Sequence, residues 1–225
     1  MSSSLAAGPA RAGIFALIAT VAGFELWVAW LAIHPRVSPD YRAYYIDQST
    51  TCLNKPVSGL YTLGNTVSFM PDNQTGARRL RVCGWDGPAG DGTHSVGTVS
   101  RLHFALSEPA EDLILRLNLT GVVARDHPEL QFVVSANGTE LGQGSIAAAA
   151  TGTFDFKVPA AVIAANPGAL DVSIAYPNAA EMTPNDSNTH YRAIKLLAVQ
   201  LRRPGDKPSE GPQDDPEAQR YHAGP

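Results

Sequence analysis

Much that would mark a particular class of protein is scarce in this sequence. Only two of the 225 residues are cysteine, too few for a multi-disulfide scaffold or a cysteine-rich zinc site. Charged residues make up 17% of the chain, with a formal net charge of −4, and no run of Lys or Arg is long enough to track a phosphate backbone, which excludes nucleic acid as a partner. No internal repeat is present. His94, His103, His127 and His190 have no metal-ligand spacing such as HxxxH. The glycine-rich GPAGDG runs between strand-like segments instead of opening a helix, so it is no phosphate cradle. Ser95 and Ser100 lack the strand-turn-helix context of a nucleophile elbow, and Glu111 and Asp112 open a strand where they face solvent. These absences lead to the expectation of a protein that is not an enzyme and carries no metal or cofactor.

What the sequence does have is one long apolar run, Gly13 to Ile33, broken only by Thr20 and Glu25. As a helix it reaches about 30 Å, the hydrocarbon thickness of a bilayer. His34-Pro35 ends it, and Trp27 and Trp30 stand toward that end, where indoles favour the interface. The competing reading is a cleaved signal peptide; against it stand the length of the run and the lack of a small-x-small cleavage pair. Arg11 on one side faces Arg36 and Arg42 on the other, so charge leaves the orientation open. A long C-terminal domain translocates largely regardless of such charges. The expectation is a bacterial inner-membrane protein with its first twelve residues in the cytoplasm, a transmembrane helix over 13–33, a connector over 34–44, and its domain in the periplasm or outside.

Glu25 is costly in such a helix, at about 2.5 to 3.5 kcal/mol for an acid at mid-membrane. Steps of three and four from it reach Ala22, Ala29 and Ala32, a seam of small side chains that lets another helix approach closely. One reading makes this seam a docking surface for a membrane-protein partner or a second copy; the other has Glu25 snorkelling to an interface.

Beyond the connector, apolar and polar residues alternate in short runs bounded by turn residues. LYTLGNTVSF, RRLRVCGW, TVSRLHFAL, DLILRLNLT, ELQFVVSA, GTFDFKV, ALDVSIAY and AIKLLAVQL are predicted strands, and PAAVIAA a short helical turn. Asn137-Gly138 predicts a two-residue hairpin, since both residues tolerate positive φ. Eight strands and little helix predict an all-β, jelly-roll-like sandwich over 45–203. Cys52 and Cys83 are either a disulfide, as an oxidising compartment favours, or two buried thiols. As a disulfide they would stabilise the domain by about 3 to 4 kcal/mol. From 204 to 225 the chain is rich in Pro, Gly and charge and predicts a disordered tail.

Several short motifs stand in a telling order: Tyr61-Thr62-Leu63-Gly64, Gly84-Trp85, Gly92-Thr93-His94-Ser95-Val96-Gly97, Asn137-Gly138, then Asn178-Ala179, Pro184, Asp186 and Arg192. In this the chain resembles the extracytoplasmic β-sandwich, similar to carbohydrate-binding modules, at the ends of bacterial membrane glycosyltransferases and exopolysaccharide proteins. The resemblance covers about 60–201 and implies a carbohydrate-related setting without implying catalysis. One departure stands out: His94 occupies the place where that family has tryptophan, which removes an aromatic face suited to stacking on a sugar.

Sugar recognition needs a flat ring face and polar groups for hydroxyls. Trp85, Asp86 and His94 fall in one glycine-rich stretch, and Asn178, Asn185, Asp186 and Asn188 in another; the two stretches form one candidate site if the fold brings them to the same end of the sandwich, which the sequence leaves open. The plainer alternative makes Trp85 a packing residue and the Asp and Asn side chains shapers of turns. The expected function is a non-catalytic accessory subunit holding glycan or a partner protein in envelope polysaccharide assembly. Its alternative is a structural subunit of another membrane complex that binds no sugar.

Overall fold

The computed structural model describes residues 8–34, 36–38, 41–47, 52–107, 110–124, 127–181 and 191–207. The chain divides into two units, Met1–Arg42 and Ala43–Pro225. In the first, one helix, α1, spans Gly8–Ile33. Its stretch Ala12–Ile33 is long and apolar enough to cross a membrane, as a span or as a signal sequence. Thr20 donates its hydroxyl to the carbonyl of Ala16 at 2.9 Å, satisfying inside the helix a group that lipid could not satisfy. The helix closes where His34 donates its backbone N–H to the carbonyl of Trp30, one residue before Pro35.

The second unit is a sandwich of antiparallel sheets. Among its described residues are strands β1 (Thr66–Ser68), β2 (Arg81–Cys83), β3 (Trp85–Ala89), β4 (Gly92–Ser95), β5 (Val99–Ala105), β6 (Leu113–Gly121) and β7 (Glu129–Ala136). Then follow β8 (Thr139–Ala147), β9 (Thr151–Val158), β10 (Ala169–Ala175), β11 (Ala180–Glu181), β12 (Tyr191–Arg192) and β13 (Ile194–Arg202). One sheet runs β3-β4-β13-β6-β9, with β1 also on β13; the other runs β2-β5-β10-β7-β8; β11 and β12 form a small ladder of their own. Two short helices interrupt the strands, α2 (Gln74–Leu80) and α3 (Ala160–Ala164).

The core follows from period-two alternation. On β6 Leu113, Leu115, Leu117 and Leu119 turn inward, on β5 Leu102 and Phe104, and on β7 Leu130, Phe132 and Val134; all belong to one buried cluster fed by both sheets. Asn137 (φ 45°) and Gly138 (φ 80°) make the hairpin turn between β7 and β8.

Three readings of the sequence need correction. LYTLGNTVSF is a strand only over Thr66–Ser68; Gly64, at φ 90°, turns the chain before it. RRLRVCGW opens as the end of α2, because Ala77 and Leu80 bury one side of a helical turn, and becomes strand only at Arg81. Strand β8, TELGQGSIA, escapes detection because its inward positions include glycines. A Cβ on Gly144 would lie 2.6 Å from the Phe132 ring, so the core there is filled from the opposite strand. The tail predicted over 204–225 lies outside the described residues from 208 onward.

Candidate functional site

Strands β2 and β3 are the outermost strands of their respective sheets, and a single residue, Gly84, joins them. Its φ of 74° and the 2.1 Å that would separate a Cβ from the carbonyl oxygen of Val99 leave room for glycine alone. The chain therefore passes from one sheet to the other at this edge and sets Trp85 beside the crossing. The indole packs tilted against Phe69, centroids 6.1 Å apart, and donates its Nε1–H to the carbonyl of Arg101 on β5 at 2.9 Å. Asp86 follows on the rim. Its Oδ2 accepts from Nη2 of Arg192 at 2.8 Å, its Oδ1 from the backbone N–H of Gly87, and its carbonyl from Nη1 of Arg81 at 2.7 Å.

The structure separates His94 from these two. What the sequence presents as one loop is the hairpin of β3 and β4, with Trp85 paired to Ser95. Ser95 and Thr93 are buried, so His94, between them, turns to the opposite face of the sheet from Trp85. There its Nε2 lies 3.5 Å from Oδ1 of Asp91, whose carboxylate also takes the ammonium of Lys195. Those two partners hold the Asp91 carboxyl below the ordinary carboxylate range, Lys195 having the larger effect.

Asn178 does not join Trp85 and Asp86 either. Its Oδ1 accepts from the backbone N–H of Gln131 at 2.7 Å and its Nδ2 donates to the carbonyl of Glu129 at 2.9 Å, a clamp on the start of β7. Asn185, Asp186 and Asn188 lie outside the described residues. The late segment does reach the rim through Arg192, which besides Asp86 holds the carbonyl of Ser95 at 3.1 Å.

Two open grooves flank this edge. The first, of about 530 Å³, gathers Tyr44 and Tyr45 from the π-helical turn Arg42–Ile46, Arg78 and Arg81 from α2 and β2, and Trp85 and Asp86 from β3. Tyr44 and Tyr45 meet edge to face at 4.7 Å. Burial, and after it the neighbouring charge of Arg78, pulls the Arg81 guanidinium below its usual range, with Asp86 opposing.

The second groove, of about 620 Å³, lies on the outer face of the five-stranded sheet, where alternation turns Arg101 and His103 of β5, Asp171 and Ser173 of β10, and Ser135 of β7 to one side. His103 and Asp171 are register partners, with Nδ1 and Oδ1 2.7 Å apart, and Asn166 donates to Oδ2 of Asp171 at 3.2 Å. Arg101 donates Nη1–H to Oδ1 of Asn54 at 3.0 Å.

Between the grooves runs the segment 53–57, whose Lys55, Pro56 and Val57 line both. A disulfide joins Cys52 to Cys83 on β2, and downstream Gly59 exchanges backbone hydrogen bonds with Arg79 and Ala105. The segment is thus fastened at both ends. Tyr44, Tyr45, Arg78, Arg81 and the Arg101–Ser173 face carry no sequence motif, and only the fold brings them to the grooves. The polar alternation on β5 and β10 was visible, but the pairing that aligns them was not.

The grooves offer ring faces, guanidinium and ammonium donors, hydroxyls and carboxylates, groups able to stack on the C–H faces of a ring and to hydrogen-bond hydroxyls. Among the described residues no three His, Cys, Asp or Glu side chains converge as metal ligands would.

No family model matches the chain, and no curated protein matches it. Among solved structures it is similar to a family 35 carbohydrate binding module from an environmental isolate, at 11% identity and a TM-score of 0.33 over 52% of this chain and 74% of that one. It is similar to a carbohydrate-binding module, CBM36, in complex with calcium and xylotriose, at 8% identity and a TM-score of 0.32 over 52% of this chain and 80% of that one. A family two carbohydrate esterase from Clostridium thermocellum is similar at 12% identity and a TM-score of 0.32, over 57% of this chain and 32% of the esterase. The fold and the site rest on this chain's own residues.

Proposed function

We propose that this protein is a non-catalytic, single-pass accessory subunit of a bacterial inner membrane whose extracytoplasmic sandwich holds glycan during envelope polysaccharide assembly. The observation that carries this reading is the edge groove, where Tyr44, Tyr45 and Trp85 supply ring faces beside Arg81 and Asp86. Rings stack on the C–H faces of a sugar while charged and amide groups take its hydroxyls. Helix α1 is the anchor, uncleaved, and the seam of Ala22, Glu25, Ala29 and Ala32 receives a helix of a partner membrane protein.

One observation favours the second reading, a structural subunit that binds no sugar: the Trp85 Nε1–H and the Asp86 carboxylate already have partners inside the protein. The two readings separate on a glycan array probed with the full chain in nanodiscs. Retention is expected, and Tyr45→Ala, which removes a ring more than half exposed, should weaken it about three- to tenfold without lowering the melting temperature. Asn178→Ala should do the reverse, loosening the clamp on β7 and leaving retention intact. If no glycan is retained and pull-down recovers a membrane partner that Glu25→Leu loses, the sugar-free reading takes its place.

A further inference from the structure

The charge on the groove walls runs against that of the whole protein. Lys55, Arg78, Arg81 and Arg101 line the two grooves against only two carboxylates, Asp86 and Asp171, in a chain of formal net charge −4. Both carboxylates are engaged, Asp86 by Arg192 from outside the lining and Asp171 by His103 and Asn166. Arg81 and Arg101 are engaged differently. Arg101 donates to the neutral amide of Asn54 and Arg81 to the backbone carbonyl of Asp86, contacts to uncharged oxygens that orient each guanidinium, and the Asp86 carboxylate offsets only part of the Arg81 charge. Like charges at Arg78 and Arg81 oppose each other, an arrangement that an arriving anion relieves. Lys55 lines both grooves, on segment 53–57, which together with Val82 of β2 they share.

Resting on the glycan reading above, we propose that the two grooves form one continuous track for an acidic polysaccharide, which crosses segment 53–57 at Lys55. Carboxylate or other anionic substituents on the sugars meet Arg78 and Arg81 on the edge side and Arg101 on the sheet side. Tyr44, Tyr45 and Trp85 meet ring faces in the first groove; Ser135 and Ser173 meet hydroxyls in the second. The arrangement makes recognition dependent on both charge and sugar, and makes a long chain a better ligand than a short one.

The test is titration of the full chain in nanodiscs of zwitterionic lipid with polyglucuronate, with a neutral glucan of matched length, and with polyglutamate. Polyglucuronate should bind more tightly than either of the others and weaken as salt rises. Arg78→Gln and Arg101→Gln should each weaken the polymer about three- to fivefold, the range expected of partly exposed ion pairs, and together more than either alone. A glucuronate disaccharide, too short to cross Lys55, should be sensitive to one of the two substitutions only. Melting curves of each variant, unchanged from wild type, keep a folding defect from standing in for lost contacts. Equal, salt-insensitive binding of the neutral glucan would overturn the acidic track and leave glycan binding in place. Binding of polyglutamate as tight as polyglucuronate would overturn it in favour of bare charge attraction. Retention of none of the three, with no retention on the glycan array, would remove the glycan reading with it.

Discussion

Removing the cross-link between Cys52 and Cys83 tests the frame on which both grooves depend. The two residues are separated by 31 positions, and their Cα atoms lie 5.2 Å apart. Chain-entropy reasoning for a loop of that length gives a stabilisation of about 3.5 kcal/mol, through restriction of the unfolded state. For a domain of this size each kcal/mol moves the midpoint by about 2 to 4 °C, so Cys52→Ala with Cys83→Ala should lower the melting temperature by about 7 to 14 °C. Calorimetry on the full chain, with and without reductant, reads the shift; reduced wild type should fall to the level of the double variant. The single variants carry the sharper test. If the sulfurs are joined, Cys52→Ala alone costs nearly as much as both substitutions together, because either one opens the same loop. Two independent buried thiols would instead each lose a modest packing contribution, and the losses would add. Additive single effects, or a melting temperature indifferent to reductant, would refute the reasoning. Glycan affinity should fall in the double variant even well below its melting temperature, since segment 53–57 then loses its upstream anchor while Gly59 keeps the downstream one.

Two further outcomes follow from single side chains. Ser95 is fully buried, and its Oγ accepts the backbone N–H groups of Ala193 and Ile194 at 3.0 and 3.1 Å. Ser95→Ala strands both donors and should cost about 2 to 3 kcal/mol in denaturant unfolding, whereas a surface serine would move the midpoint hardly at all. Asp155 is held below the ordinary carboxylate range, chiefly by its two hydrogen bonds from Arg116 at 2.7 Å and next by Arg202. A depressed carboxyl contributes stability that is complete above the unfolded-state pKa and is lost as pH falls through the lower folded value. Wild type should therefore lose stability below about pH 4, and Asp155→Asn should flatten that part of the acid limb while leaving its slope above pH 6 unchanged.

The parts of the fold that could be read from sequence share one property: an inner face made of large apolar side chains. Strands β5, β6, β7, β9 and β10 show it, and for them the alternation of Leu, Phe, Val and Ile with polar residues identifies both the element and its buried side, whereas on β13 the alternation slips at a bulge between Leu196 and Ala198 and Gln200 and Arg202 are buried too. Strands β3, β4 and β8 do not. On β4 the buried side chains are those of Thr93 and Ser95, whose hydroxyls bond the carbonyl of Phe69 and the N–H groups of Ala193 and Ile194. A polar residue inside a core is legible only when its partner is known, and these partners lie 24 and about a hundred residues away in the chain. On β8 one inward position, Gly144, is a glycine because Phe132 from the neighbouring strand fills the space, so part of the apolar signal sits on another segment.

The candidate site was half legible for the same reason. Trp85 and Asp86 stand out as an aromatic and an acid in a glycine-rich stretch, but their neighbours in sequence are not their neighbours in space. One residue of strand sends His94 to the far face, while a crossing at Gly84 brings in Arg81 from the other sheet and Arg101 from the strand beyond it. Such a site belongs to an edge, not to a loop, and an edge is defined by which strands end each sheet, an order fixed by pairings of β13 with β4 and of β10 with β5. Only long-range register can supply that order. Edge strands also carry unpaired backbone groups that must be covered or used. Here segment 53–57, fastened by Cys52 and Gly59, runs along the β2 side, and the side chains it brings, Asn54 and Lys55, are the ones that turn a covered edge into a lined groove.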